Sequence, residues 1–116
     1  MSKAKNAARP LTEAAAAIVA EARATYAEAI GQADEARREQ IAAALADAAQ
    51  CTAAVAFAPT AAAREAAKSE QTYALSTLAS LTAETAEQTR QRWQQAAYTA
   101  LHTATRAAVD ALIIAL

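Results

Sequence analysis

The sequence predicts an all-α protein made of two long, alanine-rich amphipathic helices. Of its 116 residues, 41 are alanine, the best helix former, whereas aromatic residues, which favour strands, make up only 4%. The chain has one glycine and two prolines, so few positions interrupt a helix. The lone cysteine excludes an internal disulfide framework, and the net charge of −1 excludes a strongly charged tail.

The first predicted helix covers residues 11–57, which contain no proline. A helix of this length would measure roughly 70 Å at 1.5 Å per residue. Gly31 is a weak point in this helix, because glycine costs about 1 kcal/mol relative to alanine. Two apolar stripes with an eleven-residue period support the prediction: Leu11, Ala22, Ala33, Ala44 and Val55, and beside them Val19, Ile30, Ile41 and Thr52.

A turn or kink is predicted over residues 58–60, around Pro59. Proline disfavours the helical conformation of the preceding Ala58, so the first helix should end near Phe57. Thr60 is a candidate N-cap for the next helix, and Glu65 suits the positive end of its dipole. Two geometries remain open, namely an elongated hairpin and a single rod kinked at Pro59.

The second predicted helix covers residues 61–116, which contain neither proline nor glycine, and it would measure roughly 85 Å. Its apolar positions follow steps of three and four residues, and a second stripe through Tyr98, His102 and Val109 runs beside the first. One partner helix cannot cover an apolar face this wide, so a bundle or coiled-coil assembly is predicted.

Residues 1–10 are predicted to form a flexible basic arm, since Lys3, Lys5 and Arg9 precede Pro10 without apolar periodicity. The segment lacks the apolar core of a secretory signal, so we expect a cytoplasmic protein or part of a particle assembled inside the cell. Uncharged stretches are too short for a membrane span, although association with a membrane surface remains open.

Self-association is the main functional expectation. Apart from alanine the chain has only 23 hydrophobic residues, and alanine burial contributes little against the entropy of ordering the backbone. Long helices of this kind should therefore pack with other copies, or with a related helical subunit, into an oligomer or polymer. The predicted interface residues are Ile30, Ile41, Leu45, Val55, Leu75, Leu78, Trp93, Leu101, Val109, Leu112, Ile113 and Leu116.

Catalytic, cofactor and metal sites are not predicted. His102, the only histidine, has no acidic partner at helical spacing, so we interpret it as the edge of a packing stripe or as a pH-sensitive contact. Cys51 is interpreted as a small buried residue, with an intermolecular disulfide or a redox-sensitive thiol as the alternatives. No small-molecule substrate is expected.

Nucleic-acid binding was considered for Arg90, Arg92 and Trp93, which combine charge with a stacking surface. Glu84 and Glu87 lie within about a turn or two on the same helix, and the net charge of −1 provides no field that attracts phosphate. Nucleic acid is therefore not an expected partner, and Trp93 is interpreted as an anchor of a packing interface.

The segment Gln94-Gln95-Ala96-Ala97-Tyr98, followed by Ala104-Thr105, Val109 and Leu112, resembles the end of the RebB-type R-body proteins, the "killing trait" family. The resemblance covers residues 94–112. It implies a subunit of an insoluble ribbon that extends to rupture cells, in which a pH response would involve His102 and the glutamates.

Three functions follow as hypotheses. The first is a structural protein whose helices assemble into an oligomer, an R-body-like ribbon or a component of a virion or other particle. The second is an amphipathic coat on lipid or polyester granules, because alanine-rich amphipathic composition is similar to that of phasins. The third is a helical adaptor for one specific protein partner.

Overall fold

A computed structural model describes the backbone of residues 2–115 and the side chains of residues 13–103. No strand occurs among these residues, and the prediction of an all-α fold is confirmed. The five helices are α1 (Ser2–Thr25), α2 (Ala27–Gln32), α3 (Glu35–Ala56), α4 (Ala61–Thr82) and α5 (Ala86–Ala115).

Four of these helices pack as a bundle, with α2 as a short connector against α3. Contacts link α1 with α3, α3 with α4, α4 with α5, and α5 back to α1, which closes the ring of helices. Helices joined by short turns run antiparallel when they pack on one another. Contact is most extensive between α3 and α4 and least extensive between α4 and α5 among these four pairs.

The core is made largely of alanine, which lets the helix backbones approach closely. A few large side chains fill the remaining space, and each of them is less than 2% exposed: Ile18, Tyr26, Ile41, Leu45, Leu78 and Trp93. Buried alanines from α1, α3, α4 and α5 complete the same cluster. Within residues 13–103 the helices of the chain therefore cover these core side chains themselves.

The prediction of two long rods was wrong. The longest dimension of the chain is 47 Å and its radius of gyration is 15.2 Å, so it cannot contain straight helices of roughly 70 and 85 Å. Each predicted rod is divided by a break that contains no proline, at residues 33–34 and at residues 83–85. Side-chain caps produce both breaks.

The first break follows α2. Ala33 is extended, and the Asp34 carboxylate accepts a hydrogen bond of 2.8 Å from the Arg37 backbone N–H, which caps the start of α3. The Arg38 Nε donates to the backbone carbonyls of Ile30 and Ala33, at 3.1 and 3.0 Å, and so satisfies the end of α2.

The irregularity between α1 and α2 is smaller. Tyr26 departs from helical geometry, with φ −102° and ψ 16°. Its N–H still donates to the Ala22 carbonyl at 2.9 Å, and its carbonyl accepts from the Ile30 N–H at 3.0 Å. The helical direction therefore continues from α1 into α2.

At Pro59 the chain reverses, so α3 and α4 form a short antiparallel hairpin rather than one kinked rod. Thr60 caps α4 as predicted, because its hydroxyl accepts a hydrogen bond of 3.1 Å from the Ala63 N–H. The hairpin joins two helices of 22 residues each, so it is much shorter than the predicted one.

The second break interrupts the predicted helix over residues 61–116. Ala83 adopts the left-handed conformation, with φ 60° and ψ 26°, and the Glu84 N–H donates to the Ala79 carbonyl at 3.1 Å. Thr85 and Gln88 then form a capping box, with reciprocal hydrogen bonds of 3.1 and 3.0 Å. This reciprocal cap starts α5 without help from glycine or proline.

The predicted flexible arm over residues 1–10 belongs to α1 from Ser2 onward, so the expectation of an arm separate from the helix is corrected. Alanines at positions 4, 7 and 8 favour helix on the N-terminal side of Pro10. The side chains of this segment lie outside the described ones. Within the described residues, no helix has the length and hydropathy that crossing a membrane requires.

Candidate interaction site

The thin contact between α4 and α5 leaves a groove along the bundle. We call it the α4–α5 groove. It encloses about 420 Å³ and is lined by Lys68, Gln71, Thr72, Leu75, Ser76, Ala86, Arg90, Trp93 and Gln94. Leu75 is only partly buried there, although it packs against the core. A concave surface with an apolar floor and a polar rim is typical of a site that receives another molecule.

A hydrogen-bond network lies beneath the floor of the groove and joins three helices at the buried Thr52. The Trp93 indole N–H of α5 donates to the Thr52 hydroxyl of α3 at 2.8 Å, and the Gln71 amide of α4 donates to it at 2.9 Å. The hydroxyl itself donates to the Ala48 carbonyl at 2.7 Å. Thr52 thus uses its one donor and both acceptor positions, which fixes α5 against the α3–α4 hairpin.

The rims of the groove carry charges that are already paired. On α4, Lys68 lies 3.5 Å from Glu65, and on α5 the Arg90 guanidinium donates to the Glu87 carboxylate. The hydrogen bond from Arg90 holds the pKa of Glu87 below its usual value. Each base that lines the groove, Lys68 or Arg90, therefore has an acid beside it on the same helix, and this acid offsets its charge.

An exposed aromatic stack continues the α5 rim. Tyr98 lies one helical turn beyond Gln94, which lines the groove, and 73% of Tyr98 is exposed. Its ring is parallel to that of His102, with centroids 6.1 Å apart and an interplanar angle of 5°. His102 is also exposed, so the predicted contact residue lies on the surface beside a large aromatic ring.

A second polar cluster holds the end of α1 against the turn between α4 and α5. The Arg92 guanidinium donates to Glu84 at 2.9 Å and to the Thr25 carbonyl at 2.8 Å. Its central carbon lies 4.5 Å from the centroid of the Tyr26 ring, which is a cation–π contact. The Thr89 hydroxyl donates to Glu84 at 3.5 Å, so the carboxylate has partners from α5 at two positions.

Within this cluster the Tyr26 hydroxyl is buried close to the Glu84 carboxylate but makes no hydrogen bond of ordinary geometry. Burial raises the pKa of Tyr26 to about 12, and the charge of Glu84 adds to the increase while Arg92 opposes it. A buried hydroxyl without a hydrogen bond lowers the free energy of unfolding. We therefore interpret Tyr26 as a residue that contributes through packing and not through its hydroxyl.

Cys51 lies on a different surface, in the outer groove between α3 and α4. Its side chain is partly buried, and burial raises the pKa of the thiol, with Glu70 and Asp47 adding to the effect. The raised pKa lowers the fraction of reactive thiolate at neutral pH. Tyr73, which is 78% exposed, lines the same outer groove.

The predicted interface residues fall into three groups. Four of them are buried inside the chain's own core, which corrects their expected place between copies: Ile41, Leu45, Leu78 and Trp93. Four are partly buried: Ile30, Val55, Leu75 and Leu101. The last four lie outside the described side chains: Val109, Leu112, Ile113 and Leu116.

The polar residues that organise the site were not predicted. Thr52 was assigned to an apolar stripe, and its polarity at a buried position is the signal that a hydrogen-bond partner should be sought. The spacing of Thr85 and Gln88 is the sequence signature of a capping box, and it would have located the second break. Tyr26 and Arg92 come together only through the tertiary fold.

Among the described residues, no group of three histidine, cysteine or acidic side chains is arranged to hold a metal ion. No family model, curated protein or solved structure is significantly similar to this chain. The contacts of the α4–α5 groove and of Tyr98 are therefore the basis for a functional assignment.

Proposed function

We propose that this chain is a non-enzymatic structural protein whose helical bundles associate with other copies of the same chain. The contact surface is the α4–α5 groove together with Tyr98. The observation that carries the proposal is the position of Tyr98, an aromatic side chain that is 73% exposed beside an open, apolar-floored groove.

Exposed aromatic residues support a contact role. The chain has five aromatic residues, and three of them are at least half exposed: Phe57, Tyr73 and Tyr98. Tyrosine offers a large contact area at a low entropy cost and is enriched at the energetic centres of interfaces. Of the three, Tyr98 is the one that continues the rim of the groove.

A second copy fits the charge pattern of the groove. Because each rim carries one acid and one base, two copies related by a two-fold axis can place unlike charges opposite one another. A strongly acidic or basic partner would leave one member of each pair facing a like charge. A helix rich in small residues, such as those of this chain, also suits the narrow groove.

Assembly beyond a pair would use the far end of α5. This helix continues to Ala115, and by sequence its last turns carry Val109, Leu112 and Ile113. We include in the proposal that this segment extends the association into a ribbon or particle, as the R-body resemblance of residues 94–112 implies. The groove supplies the first contact, and the end of α5 supplies the second.

Sedimentation velocity between about 1 and 100 μM tests the proposal. Wild-type protein should form dimers or larger species as concentration rises, and Tyr98→Asp should weaken the association at least about tenfold by removing an aromatic anchor. Tyr73→Asp is the matched control, since it makes the same change on a surface away from the groove, and it should leave the association unchanged.

Other outcomes would overturn the proposal. A wild-type chain that stays monomeric at 100 μM and sediments with lipid vesicles would indicate a surface coat. A monomer that is unaffected by vesicles would favour an adaptor for another protein. Equal effects of Tyr98→Asp and Tyr73→Asp would exclude the α4–α5 groove as the contact.

A further inference from the structure

We propose that two copies of this chain exchange α5 by straightening residues 83–85, so that α5 of each copy packs in the α1–α3–α4 cradle of the other. The inference rests on the proposed function in taking a second copy as the partner. The contact between the copies differs from the surface contact proposed above. The exchanged helix makes the same interior contacts as in the single bundle, and these do not involve Tyr98.

Strain in the turn favours the exchange. Ala83 has φ 60°, in the left-handed region that L-residues other than glycine rarely adopt, and it is the only non-glycine residue with positive φ in the described chain. Helices that end this way usually have glycine at that position. A short connection under strain is a recognised cause of domain swapping, because straightening it relieves the strain.

The sequence supports the straightened form. Residues 60–116 contain neither proline nor glycine, so one continuous helix can run through positions 83–85. Releasing α5 breaks its contact with α4, which is the least extensive of the four, and also its more extensive contact with α1. Both contacts form again when α5 packs in the cradle of the other copy. The contacts of Trp93 with Thr52 and of Arg92 with the Thr25 carbonyl would form again between copies.

Other interactions hold the turn closed. The reciprocal hydrogen bonds of Thr85 and Gln88 exist only when α5 begins at this point. Straightening would exchange these bonds for ordinary helical ones. Ala83 therefore opposes the turn, whereas Thr85 and Gln88 stabilise it. Single substitutions can shift the equilibrium between the turn and the straight helix in either direction.

Two substitutions with opposite expected effects test the exchange. Ala83→Gly removes the strain and also weakens the straight helix, so it should raise the dissociation constant of the swapped dimer about 100-fold or more. Thr85→Ala removes the cap and favours the straight helix, so it should lower that constant by about 100-fold, since two chains contribute.

The measurement is the mass by light scattering after unfolding and refolding at a series of protein concentrations. Swapped dimers should persist for hours after dilution, because exchange requires the bundle to open, whereas dimers held by a surface contact should dissociate within minutes. Tyr98→Asp is measured in parallel and should leave the slowly exchanging dimers unchanged.

The outcomes separate the two proposals. If Ala83→Gly and Thr85→Ala leave the dimer population equal to that of the wild type, the exchange of α5 is excluded. If Tyr98→Asp alone removes the dimers, the surface contact stands and the exchange fails. If the turn variants alone change the population, the exchange stands and the groove contact fails.

Discussion

The two turns on either side of α4 differ in what determines them. The turn over residues 57–60 contains Pro59, which prevents the preceding helix from continuing whatever surrounds it. The turn over residues 83–85 has no such residue and depends on the side chains of Thr85 and Gln88, against a left-handed Ala83. The comparison teaches that the first turn is fixed by covalent geometry, whereas the second depends on reversible hydrogen bonds.

The helix contacts that follow the two turns also differ in extent. After the proline turn, α3 and α4 share the most extensive contact of the bundle. After the alanine turn, α4 and α5 share the least extensive contact, with the α4–α5 groove between them, and the Thr52 network joins them through α3. In the second half of the bundle α5 therefore packs mainly on α1, and the polar contacts at Thr52 add its connection to α3 and α4.

Removing the Thr52 hydroxyl should have the largest effect. Thr52→Val keeps the shape but leaves the Trp93 indole and the Gln71 amide without their buried acceptor, at about 1–3 kcal/mol each. We expect the free energy of unfolding to fall by about 2–4 kcal/mol, measured by denaturation in urea.

Thr52→Ser is the control, because it retains the hydroxyl and should cost much less. Trp93 fluorescence reports separately on the connection between α5 and α3, and it should change in Thr52→Val. If the valine and serine variants were equally stable, the network would not be what holds α5 in place.

Overpacking the alanine core should have the next largest effect. Ala48 is fully buried, so Ala48→Leu forces the helices apart and should cost about 1–3 kcal/mol in the free energy of unfolding. Ala46→Leu makes the same change at an exposed position of the same helix and should be nearly neutral. Equal costs at the two positions would contradict the close packing of α3.

The sequence predicts the helical class and the proline turn because both depend on local chemistry. Alanine content, Pro59 and the Thr60 cap act within a few residues, and the structure agrees with each of them. The break at residues 83–85 was missed because its signal is a pair of polar residues rather than a helix breaker. Ala22, Ile41 and Ala44 of the predicted apolar stripes are buried, but periodicity alone does not tell whether the chain or another copy covers such a stripe.

The candidate site was harder to predict. Tyr98 and His102 lie in a recognisable stripe, yet only the fold shows that their rings are exposed beside a groove. The cluster around Arg92 joins residues that are as far as 67 positions apart in the chain, at Thr25 and Arg92. Contacts across such separations depend on how the helices are arranged, which no local pattern encodes.

Tyr26→Phe should raise the free energy of unfolding by about 1 kcal/mol at neutral pH, because it removes a buried hydroxyl that has no hydrogen-bond partner. It should also change the response to alkali. Burial raises the pKa of Tyr26 from 10.0 in the unfolded chain to about 12, so the folded state disfavours its ionisation. Stability from the neutral hydroxyl is fully present below pH 10 and is lost as the pH rises toward 12.

The measurement is the free energy of unfolding between pH 8 and 12 for wild type and Tyr26→Phe. Wild type should lose about 1–2 kcal/mol more than the variant over this range. Tyr73→Phe, at an exposed position, provides the control and should follow the wild-type curve. Parallel curves for wild type and Tyr26→Phe would show that Tyr26 ionises in the folded chain without cost.

The smallest effect is expected at Gly31, near the break that precedes α3. Gly31 lies inside the helix α2 without a positive φ, and a Cβ added there would meet no atom within 4 Å. Gly31→Ala should therefore raise the free energy of unfolding by about 0.5–1 kcal/mol, because alanine loses less backbone entropy in a helix. Ala46→Gly on the exposed side of α3 should lower it by a similar amount. Thermal unfolding by circular dichroism measures both changes. A loss of stability in Gly31→Ala would contradict this expectation. It would mean that residue 31 requires a backbone conformation that glycine adopts more easily than alanine.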